Sequence, residues 1–188
     1  VPTLGCSREV LDAISHVIQV VLEMESDQSA HTEELDKWER RLRFAQQTTS
    51  AESLETMNTP HYIRLAELHR LSGLIYLQRA GRHASSSNVA LQEYLERAFE
   101  TLRSLDTCER MFPLFIVGCE ASTDIQRMTV LELIHRTAVQ CVSADMLRVR
   151  HFIERFWAQS DLDTDQSKDY ISRMTTAVSM YDGLPVFS

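Results

Sequence analysis

A chain of 188 residues with 44% hydrophobic content is long enough to bury roughly two-thirds of its unfolded surface, and one core is the natural expectation. Only 5 glycines and 4 prolines leave little material for hairpins and bulges, which argues for helices. The net charge of −8 comes without a basic cluster, and this excludes a free-standing nucleic-acid grip, which needs concentrated Lys and Arg to displace counterions.

From Ser7 to Glu25, Val10, Ile14, Val17, Ile18, Val21 and Leu22 recur at steps of three and four, the mark of one helical face, with Ser7 as its cap. A second helix is predicted from Thr32 to Gln47, with Glu33 and Glu34 in its first turn and Leu35, Trp38, Leu42 and Ala45 as its stripe. The polar stretch that follows has no sustained period and reads as a surface loop, ending in Thr59-Pro60, a cap and a proline suited to a helix start. The helix it introduces is wide-faced: Ile63, Leu65, Ala66, Leu68, Leu71, Leu74, Ile75 and Leu77 cover more than half its circumference, which predicts a central position. "GRHASSSN" breaks the pattern, and Leu91, Leu95, Ala98, Phe99, Leu102 and Leu105 restart it.

Next comes "MFPLFIVGCEAS", residues 111 to 122, a nearly unbroken apolar run. Two helices beginning at Ser122 and Ser143, each with a plausible Ser cap, and a last one from about Ser167 to Met180 complete the chain. The reading is all-α: a single irregular bundle of about eight helices, with no strand.

The cysteines, Cys6, Cys108, Cys119 and Cys141, are far apart and lie in or beside apolar runs, which fits reduced thiols better than structural zinc or a disulfide framework. The longest apolar run, Phe112 to Cys119, is too short to span a bilayer, so no membrane partner is expected. Cys119-Glu120, with His135 or His151, would supply a nucleophile and base, but no nucleophile motif surrounds them. Glu132-x-x-His135 has the spacing of carboxylate-bridged di-iron bundles, which need two such motifs where this chain has one. "DLDTDQ", from Asp161, starts like a calcium loop but has Gln166 where glycine is needed and Ser172 where glutamate is needed. Gly73 and Tyr76 hint at a tetratricopeptide repeat, but His69 and Ser72 depart from its pattern and nothing recurs after 34 residues. No enzyme, metal or cofactor is expected in this chain. The aromatic set Phe112, Phe115, Phe152, Phe156 and Trp157 is read first as core, and second as the lining of an apolar pocket.

Four segments in order carry a resemblance: "LGCSREVLDAISHV", "RLAELHRLSGLIYLQRA", "FPLFIVGCEAS" followed by "DIQR", and "FIERFWAQSD". They resemble the fungal-specific transcription factor domain found C-terminal to a zinc binuclear cluster in fungal regulators, with Phe112 standing where Trp is common in that family. The resemblance covers nearly the whole chain and implies an all-helical regulatory domain over residues 1–188 of a nuclear transcription factor. DNA would be reached only through an N-terminal segment outside these residues, and zinc is expected only in that segment's cluster. The absence of an initiator methionine fits a piece of a longer protein. A small hydrophobic effector, protein co-regulators or self-association are the implied partners. Pro113, Gly118, Cys119, Glu120 and Arg127 then read as a packing signature: Pro113 in a first helical turn, Gly118 and Cys119 at a close helix contact, and Glu120 paired with Arg127.

Overall fold

The computed structural model describes residues 8–23, 31–45, 59–141, 144–162 and 170–179. These form eight α-helices and no strand: α1 Arg8–Glu23, α2 Thr32–Phe44, α3 Thr59–Tyr76, α4 Val89–Ser104, α5 Met111–Cys119, α6 Asp124–Cys141, α7 Ala144–Leu162 and α8 Tyr170–Ser179. The chain is all-α. The predicted caps Ser7 and Ser143 lie outside the described residues, as do the predicted start of the last helix at Ser167, most of the loop before Thr59 and the end of the acidic stretch after Leu162.

The helices gather into two compact units, Val1–Thr101 and Leu102–Ser188, so the boundary falls in the last turn of α4. In the first unit α1, α2 and α3 pack on one another. The stripe of α1 is buried at Val10, Ile14, Val17 and Val21, but Leu22 at its end is 65% exposed. Helix α3 is central in the manner its wide apolar face predicts: Leu65, Leu68, Leu71, Leu74 and Ile75 are fully or almost fully buried, whereas Ile63 near its start is 49% exposed. Gly73 is where α3 meets its neighbours most closely. A Cβ there would lie 2.8 Å from Ile14 Cγ1 and 3.4 Å from Leu42 Cδ1, so the absent side chain is what lets three helices converge.

Helix α3 ends in a π-turn over Leu77–Gly81, closed by the Arg82 N–H donating to the Leu77 carbonyl (3.0 Å). The next bond, from Ala84 N–H to Gln78 C=O (2.9 Å), turns the chain out of the helix. The left-handed residue of this exit is His83 (φ 50°), although a glycine stands two positions earlier. Arg79 braces the exit by donating to the Ala84 carbonyl (3.0 Å) and Ser86 Oγ (3.1 Å). Asn88 then caps α4, its side-chain oxygen accepting from Leu91 N–H (3.0 Å).

In the second unit α7 packs on α5, α6 and α8. Its core is Leu114, Phe115, Ile116, Val117, Val130, Leu133, Ile134, Val149, Phe152, Ile153 and Phe156, all buried. The α4–α5 connection is held to α6 by buried Thr137, whose Oγ1 accepts from Cys108 N–H (2.9 Å) and donates to Leu133 C=O (2.8 Å). The cap of α6 is Thr123 rather than Ser122. Thr123 Oγ1 accepts from Gln126 N–H (3.3 Å) and Gln126 Oε1 accepts from Thr123 N–H (3.2 Å), a reciprocal box that a serine one residue earlier has the wrong spacing to make.

Candidate functional site

Two of the four segments that carry the sequence resemblance, the third and the fourth, meet in the second unit. Pro113 is buried in the first turn of α5, where its missing N–H is one the helix does not use. At the other end, a Cβ on Gly118 would lie 2.5 Å from Ile153 Cδ1 and 3.4 Å from Val130 Cγ1, so α6 and α7 both press on this position. The Gly118 carbonyl, one of those left unpaired at a helix C-terminus, accepts from Ala121 N–H (3.1 Å) and from the indole Nε1–H of buried Trp157 (2.8 Å). Thus the tryptophan of α7 is both a packing group and a cap for α5.

Arg127 closes this cluster. Its guanidinium lies 5.2 Å from the Trp157 ring centroid, its Nε donates to Ala121 C=O (3.3 Å), and its two terminal nitrogens hold Asp161 at 2.8 and 2.7 Å. The fork closes on Asp161, in the last turn of α7, and not on Glu120 as the seven-residue spacing suggests. Glu120 instead ends α5 and is buried, its N–H returning to Val117 C=O (3.2 Å). The fork raises the Arg127 pKa and lowers that of Asp161, in both cases first through the hydrogen bonds between them.

Cys119 is buried beside this helix end, and burial first, then the Glu120 charge, pushes its thiol well above the ordinary value. A thiol so placed is protonated at neutral pH and lacks the thiolate character a nucleophile needs. Burial likewise pushes the Cys108 thiol up to about 12. His135, His151 and Glu132 face solvent, and among the described residues no three His, Cys, Asp or Glu side chains converge in a way that would hold a metal ion. Within the same residues no helix is long and apolar enough to cross a membrane.

Of the aromatic set, Phe115, Phe152, Phe156 and Trp157 are buried and Phe112 is half-buried. Phe115 and Phe152 meet edge to face (6.4 Å, 74°), and Phe156 meets Tyr170 in the same way (5.9 Å, 70°). The Arg173 guanidinium lies 4.6 Å from the centroid of Phe156. These rings line the seam between α5 and α7 and continue along α7 to α8.

The first unit holds a polar cluster that sequence reasoning missed. Glu39 is buried, yet its carboxylate receives Arg43 (2.8 Å), Arg82 (2.6 Å), Gln78 Nε2 (3.3 Å) and the Tyr94 hydroxyl (3.3 Å). Arg82 also reaches Asp36, and Arg43 Nε donates to Tyr94 Oη (2.6 Å). Helices α2 and α4 and the π-turn are thereby tied at one carboxylate. The Tyr94 hydroxyl pKa is raised, chiefly by burial. A signal was present: Glu39 falls four residues after Leu35 and three before Leu42, inside the apolar arc of α2. The same unit also holds a buried cation, Arg70, which is bound by Glu67 (2.6 and 2.8 Å) and donates to the Leu42 carbonyl at the end of α2 (3.3 Å).

Comparison with known proteins agrees with this picture. The family model described as the fungal specific transcription factor domain matches residues 1–181. The transcription factor iacI of Pestalotiopsis fici is 31% identical over 123 residues, which cover 65% of this chain and 32% of that protein's length. No solved structure matches. With its model matched over residues 1–181, the chain is a member of the fungal specific transcription factor domain family.

Proposed function

We propose that residues 1–188 form the regulatory domain of a fungal zinc cluster transcription factor. In this reading it works in the nucleus, is not an enzyme, and controls RNA polymerase II transcription through a DNA-binding segment attached elsewhere in the protein. The observation that carries the reading is the family match across residues 1–181. It is supported by a net charge of −8, which leaves DNA contact to another part of the protein.

The regulatory signal in this proposal is a small hydrophobic effector. It would act on the α5–α7 aromatic seam, where Phe112 is the half-buried member beside buried Phe115, Phe152, Phe156 and Trp157. An effector shifts the domain only if it binds one helix arrangement better than another, typically with about 1 to 3 kcal/mol of coupling. A protein contact is the second reading, and it is favoured by the exposed apolar residues of α6, Ile125, Met128 and Val139.

Tethering the chain to an unrelated DNA-binding domain above a reporter in fungal nuclei tests the regulatory role. Reporter output should differ from that of the DNA-binding domain alone, and equal output under all growth conditions would overturn the proposal. A melting-temperature screen against hydrophobic metabolites tests the effector, which should raise the midpoint by several degrees at saturation.

A further inference from the structure

Helix α6 buries Val130, Leu133, Ile134 and Thr137, yet it carries a second ordered stripe on its open side. Ile125, Met128, Glu132, His135 and Val139 follow one another at alternating steps of three and four, and all five are exposed, the apolar ones by 74%, 55% and 67%. That spacing is the seam of a two-helix coiled coil, in which alternate positions pack as layers against a partner helix. Among the described residues, Glu132 and His135 have no hydrogen-bond or ion-pair partner within their own chain.

The order of residue types along the seam selects the partner. When two copies of α6 run antiparallel, Met128 falls opposite Val139 and Glu132 opposite His135, and two-fold symmetry repeats both layers. Apolar thus meets apolar at the outside, and at the centre an imidazole N–H meets a carboxylate twice. Parallel pairing in register would set Glu132 against Glu132 and leave the centre repulsive. Polar residues at inner seam positions are the usual means by which a coiled coil fixes register and orientation.

We propose that the exposed face of α6 is a homodimer seam, joining two copies of this chain in antiparallel register with Glu132 of each facing His135 of the other. The inference deepens the protein-contact reading above and does not depend on the effector. The contact is short, since α6 spans 18 residues, so association should be of order micromolar or weaker.

Sedimentation velocity of the whole chain over a concentration series tests this. The chain should shift from monomer to dimer, and Val139→Glu should remain monomeric with an unchanged circular dichroism spectrum. His135→Glu makes the central layers all acidic and Glu132→Arg makes them all basic. Each variant alone should dimerise about tenfold or more weakly, and an equimolar mixture should recover the dimer. Recovery on mixing is a readout that a folding defect cannot mimic. A chain monomeric at every concentration, or variants that dimerise like the parent, would overturn the seam, and either result would leave the reporter assay of the regulatory role untouched.

Discussion

The two units fasten their helices by opposite means. In the first, a buried carboxylate gathers two arginines, a glutamine and a tyrosine from α2, the π-turn and α4. In the second, a missing side chain at Gly118 brings α5 against α6 and α7, and an indole N–H seals the helix end. The first arrangement tolerates changes of volume at the hub but not loss of its charge, because the donors around Glu39 would be left facing a buried void. The second tolerates charge changes at its rim but not added volume, because the interior there has no slack.

The largest effect should come from Gly118→Leu, which places a branched side chain where even a Cβ lies 2.5 Å from Ile153 Cδ1. Loss of the cooperative unfolding transition of the second unit by hydrogen exchange is the expected result. Gly118→Ala should be milder, since the Ile153 tip can rotate and alanine gains about 1 kcal/mol of helix propensity. Glu39→Ala comes next, at about 2 to 3 kcal/mol by urea unfolding. This is below the ~3–5 kcal/mol of a fully buried broken pair because Arg43 and Arg82 reach solvent. If Glu39→Ala cost nothing, the contrast between the units would collapse.

Trp157→Phe removes the donor to the Gly118 carbonyl but leaves Ala121 N–H on it, and should cost about 1 to 2 kcal/mol in the same assay. His83→Gly should have the opposite sign. It relieves a left-handed residue at the exit of the π-turn and is expected to stabilise by about 0.5 to 1 kcal/mol after the added freedom of the unfolded chain. The smallest effect is acidic. Because Arg127 lowers the Asp161 pKa, the pair contributes fully above the ordinary carboxylate value and loses its contribution as pH falls through the lowered native one. Asp161→Asn should flatten that part of the stability profile, and added salt should shrink it in the parent.

Much of the site was legible. Pro113 in the first turn of α5 and Arg127 as a residue of consequence could be named from the resemblance and from local spacing, since both follow from short-range geometry. The partner of Arg127 could not. Seven residues separate it from Glu120 and 34 from Asp161, and only the folding of α7 over α6 brings the distant acid within reach. The shift of the α6 cap from Ser122 to Thr123 was in fact readable, because a Thr followed three residues later by Gln is a capping box in any sequence.

By itself, the sequence determined the helical class, the order and approximate limits of eight helices, and the membership that the family match confirms. It could do so because helical periodicity, caps and a scarcity of glycine and proline act within a few residues along the chain. Only the tertiary structure decided which charges are neutralised by which. It made Glu39 a hub and not a surface acid, moved the Arg127 fork to Asp161, and buried one face of α6 while leaving a second ordered stripe in solvent. Ion pairs and helix faces are settled by which elements meet in space, and their energies depend on burial, which no local pattern encodes.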